Sequence, residues 1–238
     1  MMHDWLQPDW PAPANVRALS TTRSGGRSEG PWSSLNLGMH CGDDRAAVRW
    51  NRHKLQEVLP APPRWLQQVH GRKVVTFAKS GSGAEADAIV SFEAGQVCAV
   101  LTADCLPVLL CSNTGDRVAA VHAGWRGLAG GVLQAAVTAL NFQPAGLLAW
   151  LGPAIGPAVY QVGDDVVTAF PEEFPAGFKR SGERWLMDLY SLARLKLQGA
   201  GVTAIYGGGF CTCSDSERFF SYRRDGETGR MASLVWLE

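Results

Sequence analysis

Apolar and polar positions change period several times along the chain, and each change marks an element. Residues 16–22 mix β-branched and polar side chains in a short run that predicts a strand, while 43–59 returns apolar residues at helical spacing with Asp43 or Asp44 near the cap. After the Pro62-Pro63 break, 64–70 reads as a strand. The central block is strand-rich: 97–102 and 106–112 are apolar throughout, Asn113-Thr114-Gly115-Asp116 is a turn, and 117–122 is another strand. Runs without alternation predict a sheet covered on both faces. Val132, Leu133, Ala136, Val137 and Leu140 then repeat at helical spacing within 128–140. A strand at 147–151, a short helix at 164–170, a helix at 188–197 capped by Asp188 with Gly199 and Gly201 beyond its end, and a strand at 202–206 follow. Strands and helices do not strictly alternate, so the pattern predicts an α+β fold, a layered αββα sandwich, in preference to a Rossmann arrangement.

Composition narrows this. The chain has 238 residues, 46% hydrophobic and 18% charged, which excludes a disordered linker or a disulfide-stapled miniprotein. No linker or charge run divides it, so one domain over 1–238 is expected, with 1–15 as an N-terminal tail. Lys plus Arg and Asp plus Glu are both 22, leaving no net charge to wrap a polyphosphate backbone. Nucleic acid is not expected as a partner. Nor is a membrane: the longest apolar stretch, 97–111, is broken by Asp104 and Pro107 and falls short of the roughly 20 residues of a bilayer span. The opening residues carry Asp4, Asp9 and prolines where a secretory signal would be basic then apolar, so a cytoplasmic location with reduced cysteines is expected.

Five histidines and six cysteines can be weighed singly. His3 and His53 read as solvated. His40 and Cys41 lie in a glycine-punctuated turn that is either structural or part of a cleft. His70 and His122 end predicted strands and are followed closely by glycines, which let backbone approach a ligand. Cys105 follows Asp104 in a polar dipeptide between two apolar runs, where a charge must be hydrogen-bonded or placed at a cleft. Two imidazoles and a thiolate, with a fourth position for water or substrate, make a reasonable catalytic zinc set. Two hydrogen-bonded histidines beside a buried thiol is the alternative that spacing leaves open. Cys211-Thr212-Cys213 reads as buried or cleft-lining. Arg23 among glycines and hydroxyls, and Arg223 in a second such cluster, suit phosphate or carboxylate binding, with solvated surface turns as the other reading.

Taken together, Thr21-Thr22-Arg23, Ser34-Leu35-Asn36-Leu37-Gly38, Gln68-Val69-His70-Gly71, Ala86-Asp87-Ala88, Thr102-Ala103-Asp104-Cys105-Leu106-Pro107, Val121-His122-Ala123-Gly124-Trp125-Arg126-Gly127 and Ser221-Tyr222-Arg223-Arg224 resemble the YfiH/YlmD family. That family was formerly called laccase-domain or multicopper polyphenol oxidase proteins and is now regarded as purine nucleoside phosphorylases. The resemblance implies zinc held by His70, Cys105 and His122, and phosphorolysis of adenosine, inosine, guanosine and methylthioadenosine. Adenosine deamination is implied too. Arg23, with Asn36 and Arg223, is expected to bind substrate or phosphate. Catalytic roles fall to Cys105, His70 and His122, and to Asp104 either as a proton shuttle or as a residue that holds its loop by hydrogen bonds. His40 and Cys41 depart from the usual pattern. Relatives are often monomeric, and some are linked to removing wrongly built peptidoglycan precursors.

Three other readings compete with this one. Copper in place of zinc would serve a polyphenol oxidase, but a trinuclear cluster needs many imidazoles, usually as His-x-His, and no such pair exists here. A metal-free amidase would use Cys105 activated by His122. A non-catalytic binding module leaves the polar strand ends unexplained.

Overall fold

The two apolar runs of the central block become strands of different sheets, and the rest of the architecture is arranged around that division. The computed structural model describes residues 4–171 and 175–238; His3 lies outside them. In chain order, β1 (Val16–Ser20), α1 (Arg45–Gln56), β2 (Leu66–Gln67), β3 (Val74–Thr76), β4 (Ala84–Glu85) and β5 (Ala88–Ser91) come first. The central block holds β6 (Cys98–Thr102), β7 (Leu106–Ser112), β8 (Val118–Ala123), α2 (Trp125–Ala129), α3 (Val132–Ala139) and β9 (Leu147–Leu151). The last third carries β10 (Gln161–Val162), α4 (Asp164–Val167), β11 (Phe178–Ser181), β12 (Arg184–Met187), α5 (Leu189–Gly199), β13 (Ala204–Gly207), α6 (Tyr222–Asp225) and β14 (Met231–Leu237).

Of the two main sheets, one has the order β13-β9-β7-β8-β5-β3, antiparallel at its centre and parallel at both edges, and the other is the antiparallel β1-β14-β6; β10-β12-β11 and the parallel pair β2-β4 make two smaller sheets. Side chains alternate between faces along each strand. Leu106, Val108, Leu110, Ala119 and Val121 therefore face one way, onto Leu128, Leu133 and Ala136 of α2 and α3 and Leu192 and Leu197 of α5. Leu109, Cys111, Ala120 and Trp150 face the other way, onto Cys98, Val100 and Val235 of the second sheet. The outer face of that sheet, with Ala99, Leu101, Leu234 and Trp236, is closed by Leu35, Leu37 and Leu55 of α1. The layers run helix, sheet, sheet, helix: the single-domain αββα sandwich expected from the sequence. Both anticipated caps form, Asp44 accepting from the Ala46 amide and Asp188 from that of Ser191, each at 3.0 Å. Among the described residues no helix is long and apolar enough to cross a membrane.

Several boundaries differ from expectation. The helix expected over 128–140 starts at Trp125 and is broken into α2 and α3, because Gly131 takes φ +88°, a left-handed conformation no helix interior contains. The strand expected over 64–70 shrinks to β2, because the amides of residues 69–71 turn away to another acceptor, described below. The short helix expected over 164–170 ends at Val167. Strands β5 and β14 and the β11–β12 hairpin lie outside the elements expected from the sequence. Of the segment read as a tail, Leu6 bridges to Ser20, and Trp10 and Ala12 pack against the core between the sheets.

An alanine at 131 would make only ordinary van der Waals contact, with the nearest atom, Gln134 Oε1, 3.6 Å away, so its cost is conformational. Gly131→Ala should lower unfolding stability by about 1–2 kcal/mol, measured by chemical denaturation.

Candidate metal and active site

At one end of the sandwich three loops meet around Asp87. This residue directly precedes β5 and shares the face of Ile89, which looks into the space between the sheets. β5 and β8 pair with Ala88 opposite Val121, so the next position sets Asp87 beside His122. The His122 amide gives its hydrogen to the Asp87 carbonyl at 2.7 Å, and the His122 Nδ1 lies 2.8 Å from Asp87 Oδ1. Both side chains are buried, Asp87 completely. A charge there must be satisfied from within the protein. The amides of Val69, His70 and Gly71 donate to the same carboxylate at 3.3, 2.9 and 2.7 Å. This curls the chain after β2 into a turn with His70 at φ +59°. Gln68 pins the turn to the second sheet, its amide group exchanging two 2.8 Å hydrogen bonds with the Leu101 backbone.

Cys105 arrives from the third direction, in the crossing from β6 to β7. Its sulfur lies 3.8 Å from His70 Nε2, and the rings of His70 and His122 are 4.8 Å apart, edge to face. One donor atom from each of the three falls within 4.8 Å of the others. Gly124 gives them room, since a Cβ there would stand 2.9 Å from His70 Cδ2 and 3.0 Å from Cys105 Sγ. Nitrogen and sulfur ligands at about 2.0–2.3 Å from one zinc lie roughly 3.3–3.8 Å apart, so the three could hold a metal ion with little movement. Asp87 accepts at His122 Nδ1 and leaves Nε2 facing the other donors, the arrangement that orients a ligating histidine.

Charge follows this geometry. Burial alone would push the Cys105 thiol up, but the charge of His122 and hydrogen bonds from His122 and His70 bring it down to about 6. Burial alone would lower His122, yet the Cys105 charge and the bond to Asp87 raise it to about 9. For Asp87, burial is outweighed by the hydrogen bonds from His122, Gly71 and Val69, which hold the carboxyl below its ordinary value. The protein thus favours thiolate facing imidazolium. By contrast, burial pushes Cys111 up to about 12 and Cys98 higher still.

The three residues line a cleft of about 980 Å³ that also carries Gln68, Asp104, Trp125, Tyr160, Tyr222 and, from the α1 side, His40, Arg45, Arg52 and Arg230. That volume is ample for a small-molecule ligand.

Residues 17–238 match the family described as multi-copper polyphenol oxidoreductase laccase. The protein named purine nucleoside phosphorylase PA4543 from Pseudomonas aeruginosa is 54% identical, over all of both chains. Purine nucleoside phosphorylase YfiH from Escherichia coli is 49% identical, covering 99% of this chain and 100% of that one. Among solved structures, Neisseria meningitidis protein NMB0706 superposes with a TM-score of 0.96 at 50% identity, covering 99% of each chain. The chain belongs to the YfiH/YlmD family.

In this YfiH/YlmD protein the residues singled out from sequence separate into two groups. His70, Cys105, His122, Asp104 and Arg223 line the cleft. Asp104, at φ +83°, accepts from Thr212 Oγ1 and from the Arg223 amide, both at 2.6 Å, so each carboxylate oxygen holds a loop. Arg23 and Asn36 are not among the residues that line this cleft. Arg23 donates to the Ser33 and Ser216 carbonyls and stacks on Phe220; Asn36 is wholly buried and ties Gly38, Asp43 and Arg230 together. Cys211 and Cys213 are half-buried and lie off the cleft, with Cys213 against the helix-side core. Trp125 lines the cleft with the Arg126 guanidinium 4.4 Å over its ring. Asp87 went unassigned, although a lone charge opening the apolar run Ala88-Ile89-Val90 is a legible signal.

Two outcomes are expected. Asp87→Asn should weaken metal binding about 10–100-fold, read by competition with a chromophoric chelator. In metal-stripped protein, alkylation of Cys105, followed by peptide mass mapping, should rise with pH and reach half its plateau near pH 6, because a lowered pKa keeps the thiolate populated above that value.

Proposed function

We propose that the cleft is the active site of a zinc-dependent purine nucleoside phosphorylase acting on adenosine, inosine, guanosine and methylthioadenosine, with adenosine deamination as a second activity of the same site. The convergence of His70, Cys105 and His122 on a cleft with ample room for a nucleoside carries this reading, supported by relatives that bear the phosphorylase name. In phosphorolysis a phosphate oxygen bonds to ribose C1′ as the C1′–N bond breaks. The purine leaves with the electron pair and takes up a proton, giving ribose 1-phosphate and free base. Chemistry of this kind needs the anion and the sugar held in line, and support for charge developing on the leaving base.

His70, Cys105 and His122 would hold the zinc, which would supply Lewis-acid chemistry in the cleft. The chain's own residues do the rest. Asp87 fixes the His122 ring, and Asp104 joins the Cys105 loop to Thr212 and Arg223 so that the cleft keeps its shape. Tyr222, 62% exposed, is the cleft aromatic with no cation over its ring among the described residues, and it suits stacking on a purine. Trp65 and Tyr160 already carry Arg52 and Arg223 over theirs. Zinc is preferred to copper because His70, Cys105 and His122 make the single such ligand group among the described residues, too few for a multicopper cluster.

Phosphate-dependent release of free purine from these nucleosides is the test; release of purine without phosphate, or none, counts against it. Cys105→Ala and His122→Ala should each abolish both bound metal and turnover while the circular dichroism spectrum stays native. Full activity in either would remove the site.

A further inference from the structure

The α1 side of the cleft has a composition the proposed chemistry has not yet used. In a chain with equal numbers of acidic and basic residues, four arginines line this one cleft: Arg45, Arg52, Arg223 and Arg230. Asp104 is the single carboxylate in the lining, and both its oxygens already accept hydrogen bonds. Arg223 is engaged too, donating to the Gln161 carbonyl with its guanidinium over Tyr160.

The other three form a distinct group. Arg45 and Arg52 are two turns apart on one face of α1, and Arg230 leads into β14. The Arg52 side chain lies over Trp65 at 4.3 Å and donates Nε–H to the Leu37 carbonyl at 2.9 Å. Arg230 donates one terminal nitrogen to the carbonyls of Thr228 and Gly229, and its stem passes Gly38, where a Cβ would stand 2.8 Å from its Cγ. These contacts fix both stems. They leave the two terminal nitrogens of Arg52, and Nε and one terminal nitrogen of Arg230, without a protein acceptor among the described residues. His40 lies beside two of them, its pKa lowered first by burial and then by the charges of Arg230 and Arg52.

Arg45 supplies an independent sign. It is the first residue of α1, where a cation opposes the positive end of the helix dipole. Asp43 and Asp44, just before it, turn their oxygens to other donors, Asp44 capping Ala46 and Asp43 accepting from Ser28, Asn36 and the Asp44 amide, and among the described residues no carboxylate forms an ion pair with Arg45. Unpaired like charges gathered at one wall of a cleft, one of them against its helix, are the arrangement an anion relieves.

We propose that Arg45, Arg52 and Arg230 form an oxyanion subsite, and that its occupant is inorganic phosphate, the nucleophile of the reaction above. The anion class follows from the charges alone; the choice of free phosphate rests on the phosphorolysis reading.

Arg45→Gln, Arg230→Gln and Arg52→Lys in the full-length protein as purified provide the test. Each should raise the KM for phosphate about tenfold or more, the loss expected for one charge-assisted contact, while the KM for inosine changes less than about twofold. Arg45→Gln should at the same time raise the melting temperature, so weaker phosphate binding cannot be a folding defect. Calorimetric titration of the resting protein with inorganic phosphate runs alongside. Phosphate binding that the variants lose, in a protein that phosphorolyses no nucleoside, keeps the subsite and removes the phosphorylase reading. Unchanged phosphate KM and binding in the Arg45 and Arg230 variants, or a loss confined to Arg23→Gln, overturns the subsite. Variants that lose adenosine 5′-monophosphate but not inorganic phosphate overturn free phosphate as the occupant.

Discussion

One buried carboxylate sets the geometry on which the site depends. Asp87 sits where water cannot reach it, and an ionised group in such a place must be surrounded by donors. The donors come from His122 at the end of one strand and from three successive amides of the turn that carries His70. Satisfying a single charge therefore fixes two imidazoles relative to each other. It also accounts for His70 adopting a left-handed backbone that a non-glycine residue avoids unless its surroundings require it.

Much of the fold was legible because the governing forces are local or periodic. The covered strands at 97–102 and 106–112, the cap at Asp188 and the αββα layering follow from side-chain period and capping chemistry. Where prediction failed, the deciding partner was distant in sequence. The strand expected through His70 is cut short by Asp87, and β14, the centre of its sheet, is held by pairing with β1 and β6 from much earlier in the chain. Among site residues, His70, Cys105 and His122 were found because their chemistry is scarce in this sequence. Arginines are common, and their neighbours in sequence said little about their place: Arg23 sits in a suggestive glycine turn yet is bound to carbonyls away from the cleft, while Arg45 and Arg52 resemble any exposed helical cations.

The cleft joins two electrostatic environments. Around Cys105 and His122 the protein separates charge, the histidine buried and the cysteine half-open to the cleft, stabilising thiolate and imidazolium against each other. Along the α1 side it collects charges of one sign and leaves them unrelieved. The first can take a soft cation once that cation displaces the proton from His122 Nε2, the second suits an oxyanion, and the proposed phosphorolysis would have use for both.

The crossing that carries Cys105 has a mechanical consequence. Strand β6 ends at Thr102 in one sheet and β7 starts at Leu106 in the other, with three residues between them. Sheets stack about 10 Å apart, and a chain advances at most about 3.6 Å per residue. Four Cα-to-Cα steps reach at most about 14 Å, and the connection is bent at residues 103–105, with Asp104 left-handed, so it holds only a few ångströms in reserve. Its length sets how far the two walls can part at that end, so adding or deleting a single residue there would change the width of the mouth and move the sulfur together with it.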